Sequence, residues 1–310
     1  MTKDLLSIGD LKPTEIENLL SLAADLKEQQ RKRIPHPLLA GKSLAMIFEK
    51  PSLRTRVTFE VGMSQLGGRA IYLVPADIRL GEREAVKDAA KNLERWVDGI
   101  MARTYSHQTL EELARHAAVP VINGLSDLTH PCQVLADLFT LREKRSRLQG
   151  LKVAYIGDGN NVCHSWLYAS AKTGIEFTVA CPKGYEPRAE VLASARREAE
   201  ASGGRIARTD DPKLAANGAD VLYTDVWTSM GQEAESAKRR RDFQGFQVDA
   251  ALVRLAAPDV LVMHCLPAHR GEEITDEVLD GPHSIVYDEA ENRLHLQKAI
   301  LVTLLGSQGS

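Results

Sequence analysis

The amino-acid sequence predicts an α/β protein made of two doubly wound parallel-sheet domains with a cleft between them. Three observations carry that prediction. Short apolar runs recur along the whole chain and alternate with stretches of helical length, the pattern of parallel strands covered on both faces. The length, 310 residues, corresponds to about two domains at roughly 150 residues each. Polar clusters fall just after the apolar runs, and open α/β sheets bind ligands outside the carboxyl ends of their strands.

Residues 11–30 place Ile16, Leu19, Leu20, Leu22, Ala23 and Leu26 at helical spacing, with Thr14 as the predicted N-cap. Strand-type runs follow at 42–48, 70–74, 99–102 and 119–123. Residues 136–148 read as a helix with a basic end, and Gly150 marks a boundary between halves. The second half repeats the rhythm, with strands expected at 152–156, 177–181, 221–224, 260–264 and 285–287. Helices are expected at 187–202, 249–256 and 297–305, and residues 306–310 should fray. The basic run Lys238-Arg239-Arg240-Arg241 reads as a solvated loop.

Composition removes several classes of function. Hydrophobic residues at 44% and charged ones at 26% exclude a disordered or collagenous chain. A net charge of −3, from 39 basic and 42 acidic side chains, argues against nucleic-acid binding through bulk charge. The four cysteines, Cys132, Cys163, Cys181 and Cys265, have no zinc-site spacing, and a chain of this length needs no disulfide scaffold. The first residues lack the apolar region of a signal peptide, and no run approaches the roughly 20 residues of a membrane span. The expectation is a soluble, reduced, cytoplasmic protein of two domains, with no membrane span and no bulk nucleic-acid binding.

Chemistry gathers at the strand ends. Ser52-Leu53-Arg54-Thr55-Arg56 follows the first strand where a helix should begin. Backbone N–H groups at a helix N-terminus attract anions, and hydroxyl and guanidinium donors beside them suit a phosphate. It is not a Walker A loop. Arg103 ends the 99–102 strand. His130-Pro131-Cys132-Gln133 lies past the 119–123 strand, where imidazole and amide can donate to a small carbonyl. Asn160-Asn161 sits in a Gly-Asp-Gly loop that lacks the third glycine of a dinucleotide fingerprint, so an amino-acid ligand fits better than NAD. Asp225-Val226-Trp227-Thr228-Ser229-Met230-Gly231 offers a carboxylate for an ammonium and a mobile substrate loop, or a turn with Trp227 packed beneath it. His264-Cys265-Leu266-Pro267 sets a thiol at a strand end, readable as a nucleophile pair or as a packing cysteine.

Taken together, Phe48-Glu49-Lys50-Pro51-Ser52-Leu53-Arg54-Thr55-Arg56, Met101-Ala102-Arg103, His130-Pro131-Cys132-Gln133, Asp225-x-x-x-Ser229-Met230-Gly231 and His264-Cys265-Leu266-Pro267 closely resemble the ornithine carbamoyltransferases, in order and spacing, over nearly the whole chain. The last two motifs are what separates the ornithine from the aspartate type. The resemblance implies carbamoyl transfer from carbamoyl phosphate to the δ-amine of L-ornithine, giving L-citrulline and phosphate, with no metal or organic cofactor. It implies a carbamoyl-phosphate domain at 1–135, with 291–310 packing back on it, and an ornithine domain at 136–290.

Carried over by residue, Ser52, Leu53, Arg54 and Thr55 would hold the phosphate, and Arg103, His130, Pro131, Cys132 and Gln133 the carbamoyl end. Asn161, Asp225, Ser229 and Met230 would bind ornithine. Cys265 and Leu266 would sit where the substrates meet, and Arg293 would contact carbamoyl phosphate. Arg103, His130 and Cys265 are the implied catalytic residues. The implied assembly is a homotrimer or a dimer of trimers, though Arg79 stands where many relatives place a glutamine that reaches a neighbouring subunit. Rival readings are transfer to another amine, such as putrescine or N-acetylornithine, and a non-catalytic small-molecule binding protein.

Overall fold

The computed structural model describes residues 2–78, 80–229 and 231–306. Arg79 and Met230 lie outside the described residues. The chain divides into two compact units, the first Met1–Phe139 with Glu291–Ser310, the second Thr140–Ala290.

The first unit runs α1 (Pro13–Arg31), β1 (Ser43–Phe48), α2 (Leu53–Gln65), β2 (Arg69–Leu73), α3 (Pro75–Ile78), α4 (Val86–Leu93), β3 (Gly99–Arg103), α5 (His107–His116), β4 (Val121–Leu125) and the start of α6 (Pro131–Arg145). Its sheet has the order β2-β1-β3-β4 with every pair parallel. Strand β1 lies inside the sheet, and Leu44 through Phe48 are all buried because helices cover both faces. Strand β2 is an edge, which is why Ile71 remains exposed.

The second unit continues with β5 (Lys152–Ile156), α7 (Asn161–Thr173), β6 (Glu176–Ala180), α8 (Ala189–Ser202), β7 (Arg205–Thr209), α9 (Pro212–Ala216) and β8 (Val221–Thr224). It then runs α10 (Ser236–Asp242), α11 (Ala250–Val253), β9 (Leu261–His264), α12 (Asp276–Leu279) and into α13 (Val286–Leu305), whose later turns belong to the first unit. The sheet order is β7-β6-β5-β8-β9, again all parallel. Its core is aromatic on one face, with Tyr155 stacked on Tyr223 at 5.7 Å and Trp166 on Phe177 at 6.0 Å.

Strand order fixes where each site falls. In the first sheet the chain steps from β1 out to β2 and then back across to β3, so the crevice opens at the ends of β1 and β3. In the second sheet the reversal lies between β5 and β8. Ligands bind at such switch points, and the polar motifs sit there.

The α/β class and the two parallel sheets agree with the prediction; several elements differ. The expected strand at 285–287 is the first turn of α13. Its resemblance to a strand has a local cause: Ile285 N–H donates to Val262 O at 3.0 Å, and Ser284 forms an isolated bridge to Val262 before the helix starts. Strand β7 has no counterpart in the sequence pattern, since Arg205-Ile206-Ala207-Arg208-Thr209 is an edge with one apolar side chain of size. Helix α1 is capped at Lys12 with Pro13 in its first turn, not at Thr14. The 249–256 helix shortens to α11. The basic run at 238–241 is no loop but part of α10, and Arg239 within it is buried.

Helix α13 is tied into the first unit by a buried cation. Lys298 Nζ donates to Gln30 Oε1 of α1 at 2.9 Å and to Gln65 Oε1 of α2 at 3.0 Å. Burial lowers its pKa to about 8.

Candidate active site

In the first unit the site begins with Ser52. Its extended backbone and its side chain, which accepts from Thr55 N–H at 3.3 Å, make it the N-cap of α2. The first turn of that helix follows the end of β1 and carries Leu53, Arg54 and Thr55. Leu53 is exposed, at 72%. Arg56 is engaged elsewhere: it stacks 3.8 Å over Tyr72 and pairs with Glu60 at 3.1 Å.

Arg103, the last residue of β3, is buried, and so is His130. Pro131 starts α6, which brings Gln133 into the same crevice. Arg293 reaches it from α13. Its guanidinium donates to Gln133 Oε1 and, at 3.2 Å, to Thr55 Oγ1, so α13 bridges α2 and α6. Gln133 in turn donates to Asp137 Oδ1 at 2.8 Å. Burial, then the charges of Arg293, Arg103 and Arg54, hold the His130 pKa well below its ordinary value. The imidazole is neutral at physiological pH. Cys132 packs inward, donates to Asn123 O at 3.4 Å, and burial pushes its thiol up to about 12. That thiol is inert.

In the second unit Asp225 follows β8 and is buried. Its Oδ2 accepts from Asn160 Nδ2 at 2.7 Å, and its Oδ1 from Val226 N–H at 2.8 Å and Cys265 Sγ at 3.0 Å. Asn160, part of the doublet but not carried over from the family as a ligand, caps α7 by accepting from the N–H groups of Val162 and Cys163. Asn161, which is one of them, is the first residue of that helix. The doublet thus splits its work between holding the helix and holding Asp225. Ser229 lies four residues past Asp225, its N–H donating to Gln232 Oε1 at 3.3 Å.

Cys265 and Leu266 sit on a turn held from behind by a buried pair. Leu266 has φ of +56° and a cis bond to Pro267. Its N–H donates to His264 Nδ1 at 2.9 Å, which leaves Nε2 as the donor to Glu273 at 3.0 Å. Asp225, His264 and Cys265 each offer a ligand atom within 4.8 Å of the others. Both ring nitrogens of His264 are occupied, and Cys265 is hydrogen-bonded to Asp225 in front of it. Sequence reasoning missed Glu273, since nothing in a loop sequence shows that its carboxylate turns inward.

A chain with two parallel α/β units, one site rich in arginine and one built on a carboxylate and a thiol, matches two family models in succession. Residues 3–143 match the carbamoyl-P binding domain of aspartate/ornithine carbamoyltransferase, and residues 149–304 match its Asp/Orn binding domain. The chain belongs to the aspartate/ornithine carbamoyltransferase family. Within it, the chain is 56% identical over 305 residues to an ornithine carbamoyltransferase of Methanosarcina mazei, covering 98% of this chain and 100% of that one. The solved ornithine carbamoyltransferase of Pyrococcus furiosus superposes with a TM-score of 0.97 at 53% identity, over 99% and 98% of the two chains. That of Thermus thermophilus superposes at 0.88 with 51% identity, over 98% and 99%. Among the described residues no helix is long and apolar enough to cross a membrane.

Proposed function

We propose that this chain transfers the carbamoyl group of carbamoyl phosphate to the δ-amine of L-ornithine, giving L-citrulline and phosphate. The observation that carries the reading is the complementary chemistry of the two sites on a chain of this family. One offers cationic donors around a neutral imidazole; the other offers a carboxylate hydrogen-bonded to a thiol.

Phosphate is held by the start of α2, with Ser52, Leu53, Arg54 and Thr55. Arg103, His130 and Thr55 direct donors at the carbamoyl oxygen, with Gln133 and Arg293 fixing the carbamoyl end; Pro131 and Cys132 shape that wall. Attack by an amine makes a tetrahedral oxyanion, and preorganised donors stabilise it more than the ground-state carbonyl. A neutral His130 donates through one ring nitrogen without adding a charge that would have to be desolvated. Asn161, Asp225, Ser229 and Met230 bind ornithine. The δ-amine, with a pKa near 10.4 as in lysine, is scarce as the free base at neutral pH; Asp225 and Cys265 position it and favour its reactive form. The nitrogen forms its bond to the carbamoyl carbon, loses a proton, and phosphate departs with the electron pair of the broken C–O bond. Much of the rate comes from holding two small substrates in register.

We extend the reading to a cytoplasmic enzyme of arginine biosynthesis that assembles as a homotrimer or dimer of trimers. An apolar stripe supports self-association: Leu53, Val57 and Val61 recur every fourth residue on α2 and are all exposed, and Ile71 on the β2 edge is exposed too. Light scattering reads the assembly. Colorimetric detection of citrulline, with carbamoyl phosphate and a panel of ornithine, putrescine and N-acetylornithine, tests the activity. Product from ornithine alone is expected. Preference for another amine, or no phosphate release, would overturn the assignment.

A further inference from the structure

Arg239 is the buried member of an otherwise exposed basic run, and neither the motifs nor the reaction above accounts for it. Lys238, Arg240 and Arg241 lie outward on α10, whereas Arg239 turns in and is 6% exposed. One guanidinium nitrogen, Nη1, donates to Asp158 Oδ2 at 2.8 Å and to the carbonyl of Trp227 at 2.9 Å. Its Nε donates to Glu235 Oε2 at 3.0 Å, and its plane lies 5.0 Å from the Tyr185 ring.

The two Nη1 partners belong to the two loops of the switch point. Asp158 lies in the turn after β5, two residues before Asn160, whose amide holds Asp225. Trp227 lies in the turn after β8, two residues after Asp225 and two before Ser229, and its indole stacks on Phe243 at 5.5 Å. One side chain therefore joins the loop that braces the carboxylate to the loop that carries it. A buried ion pair contributes little net stability once desolvation is counted, but it demands a particular geometry of what it joins. A point charge would serve a simple counter-ion. Arginine instead places Nη1 on Asp158 and the Trp227 carbonyl while Nε, on the same rigid plane, holds Glu235.

We propose that Arg239 and Asp158 form a positioning pair for the amine substrate, setting the 225–229 segment against the Asn160–Asp225 contact. The inference rests on the ornithine reading of that loop. Arg239 touches no substrate. It acts through the Trp227 carbonyl on Ser229, and through Asp158 on the loop that presents Asn160.

The test measures both Michaelis constants in wild type, R239M, R239K, D158N and R241Q, with melting temperature as the folding control. Misplacement of a binding loop by about an ångström is enough to cost up to about 100-fold. R239M is expected to raise KM for ornithine about 10–100-fold while KM for carbamoyl phosphate stays within about twofold. R239K should recover only part of the loss, because an ammonium that reaches Asp158 and the Trp227 carbonyl has no second, separately placed nitrogen for Glu235, and D158N should move in the same direction by less. R241Q should match wild type.

If R239M does not fold, R239K and D158N carry the test. An ornithine KM within about threefold of wild type in the folded variants overturns the pair, as does a parallel rise in both constants. Hydrogen exchange supplies a readout independent of activity: backbone amides of the 225–232 peptide should exchange faster in R239M than in R241Q. Unchanged exchange overturns the proposal. Absence of citrulline from the wild type would instead strike the functional reading, and the exchange result would still decide the pair.

Discussion

The two units solve one problem with opposite charges. Each is a parallel sheet with its site at the strand-order reversal. The first lines that position with Arg54, Arg103 and Arg293 around His130, whose pKa they help depress. The second lines it with Asp225, which accepts from Asn160 and Cys265, and with Asp158, whose partner is a single buried arginine. The scaffold therefore decides where a ligand goes and leaves its charge to a few side chains. An anionic electrophile asks for donors, and a cationic amine asks for acceptors.

Removing a donor from the first site should have the largest effect. R103M is expected to lower kcat/KM about 1,000-fold in a citrulline assay, the upper end for losing one oxyanion donor. A loss under tenfold would break the assignment of that site to the developing charge. R293M should follow, with KM for carbamoyl phosphate raised about 100-fold, because Gln133 and Thr55 lose the group that orients both. The same change removes a cation beside His130, so its pKa rises and the acid limb of the pH profile moves to higher pH. An unmoved acid limb would show that His130 is held neutral by burial alone.

In the second site the expected effect is smaller. C265S keeps a hydrogen-bond donor to Asp225 where the thiol donates at 3.0 Å. Turnover should fall about tenfold with ornithine binding retained, since the serine hydroxyl preserves the contact and alters its length and polarity. A folded C265S enzyme with no activity would point instead to covalent chemistry at sulfur.

How much of this was legible in the sequence follows the same division. The strand-end motifs carry their chemistry within a few adjacent residues, so Ser52 to Thr55, Arg103, His130, Gln133, Asp225 and Cys265 stand out from residue type and spacing alone. What was missed depends on phase and direction. Four consecutive basic residues look solvated, and only the helical phase of α10 turns Arg239 inward while its neighbours face out. Asn160 and Asn161 are indistinguishable until a helix cap assigns one of them. His264 announces itself, but its tautomer needs the backbone N–H of Leu266 on one side and Glu273 on the other. Residues 285–287 carry a strand's composition and make a strand's first contact, then follow the longer helical pattern downstream.

The smallest effects are the protonation equilibria, and here the units should respond with opposite sign. In the first, burial and the charges of Lys298, Lys27 and His36 push His295 down to about 3, and His130 is depressed as well. Both stay neutral when folded, while the unfolded chain takes up protons near pH 6.5. Their contribution to stability is complete above that pH and is lost as pH falls. In the second unit burial pushes Asp158 up to about 6, with Asp225 and Glu235 adding to the rise and Arg239 opposing it. The folded state then holds a proton that the unfolded state has released, so this contribution is complete below about pH 3.9 and is lost as pH rises through 6. Between pH 6 and 4 the two terms compete, each up to about 1.4 kcal/mol per pH unit and proton. Calorimetric melting of H295L over this range should show a shallower fall with acid than wild type, and D158N a steeper one. Slopes that change in the same direction would mean that one unit alone governs the acid response, and the opposition of charge between the sites would then have no counterpart in stability.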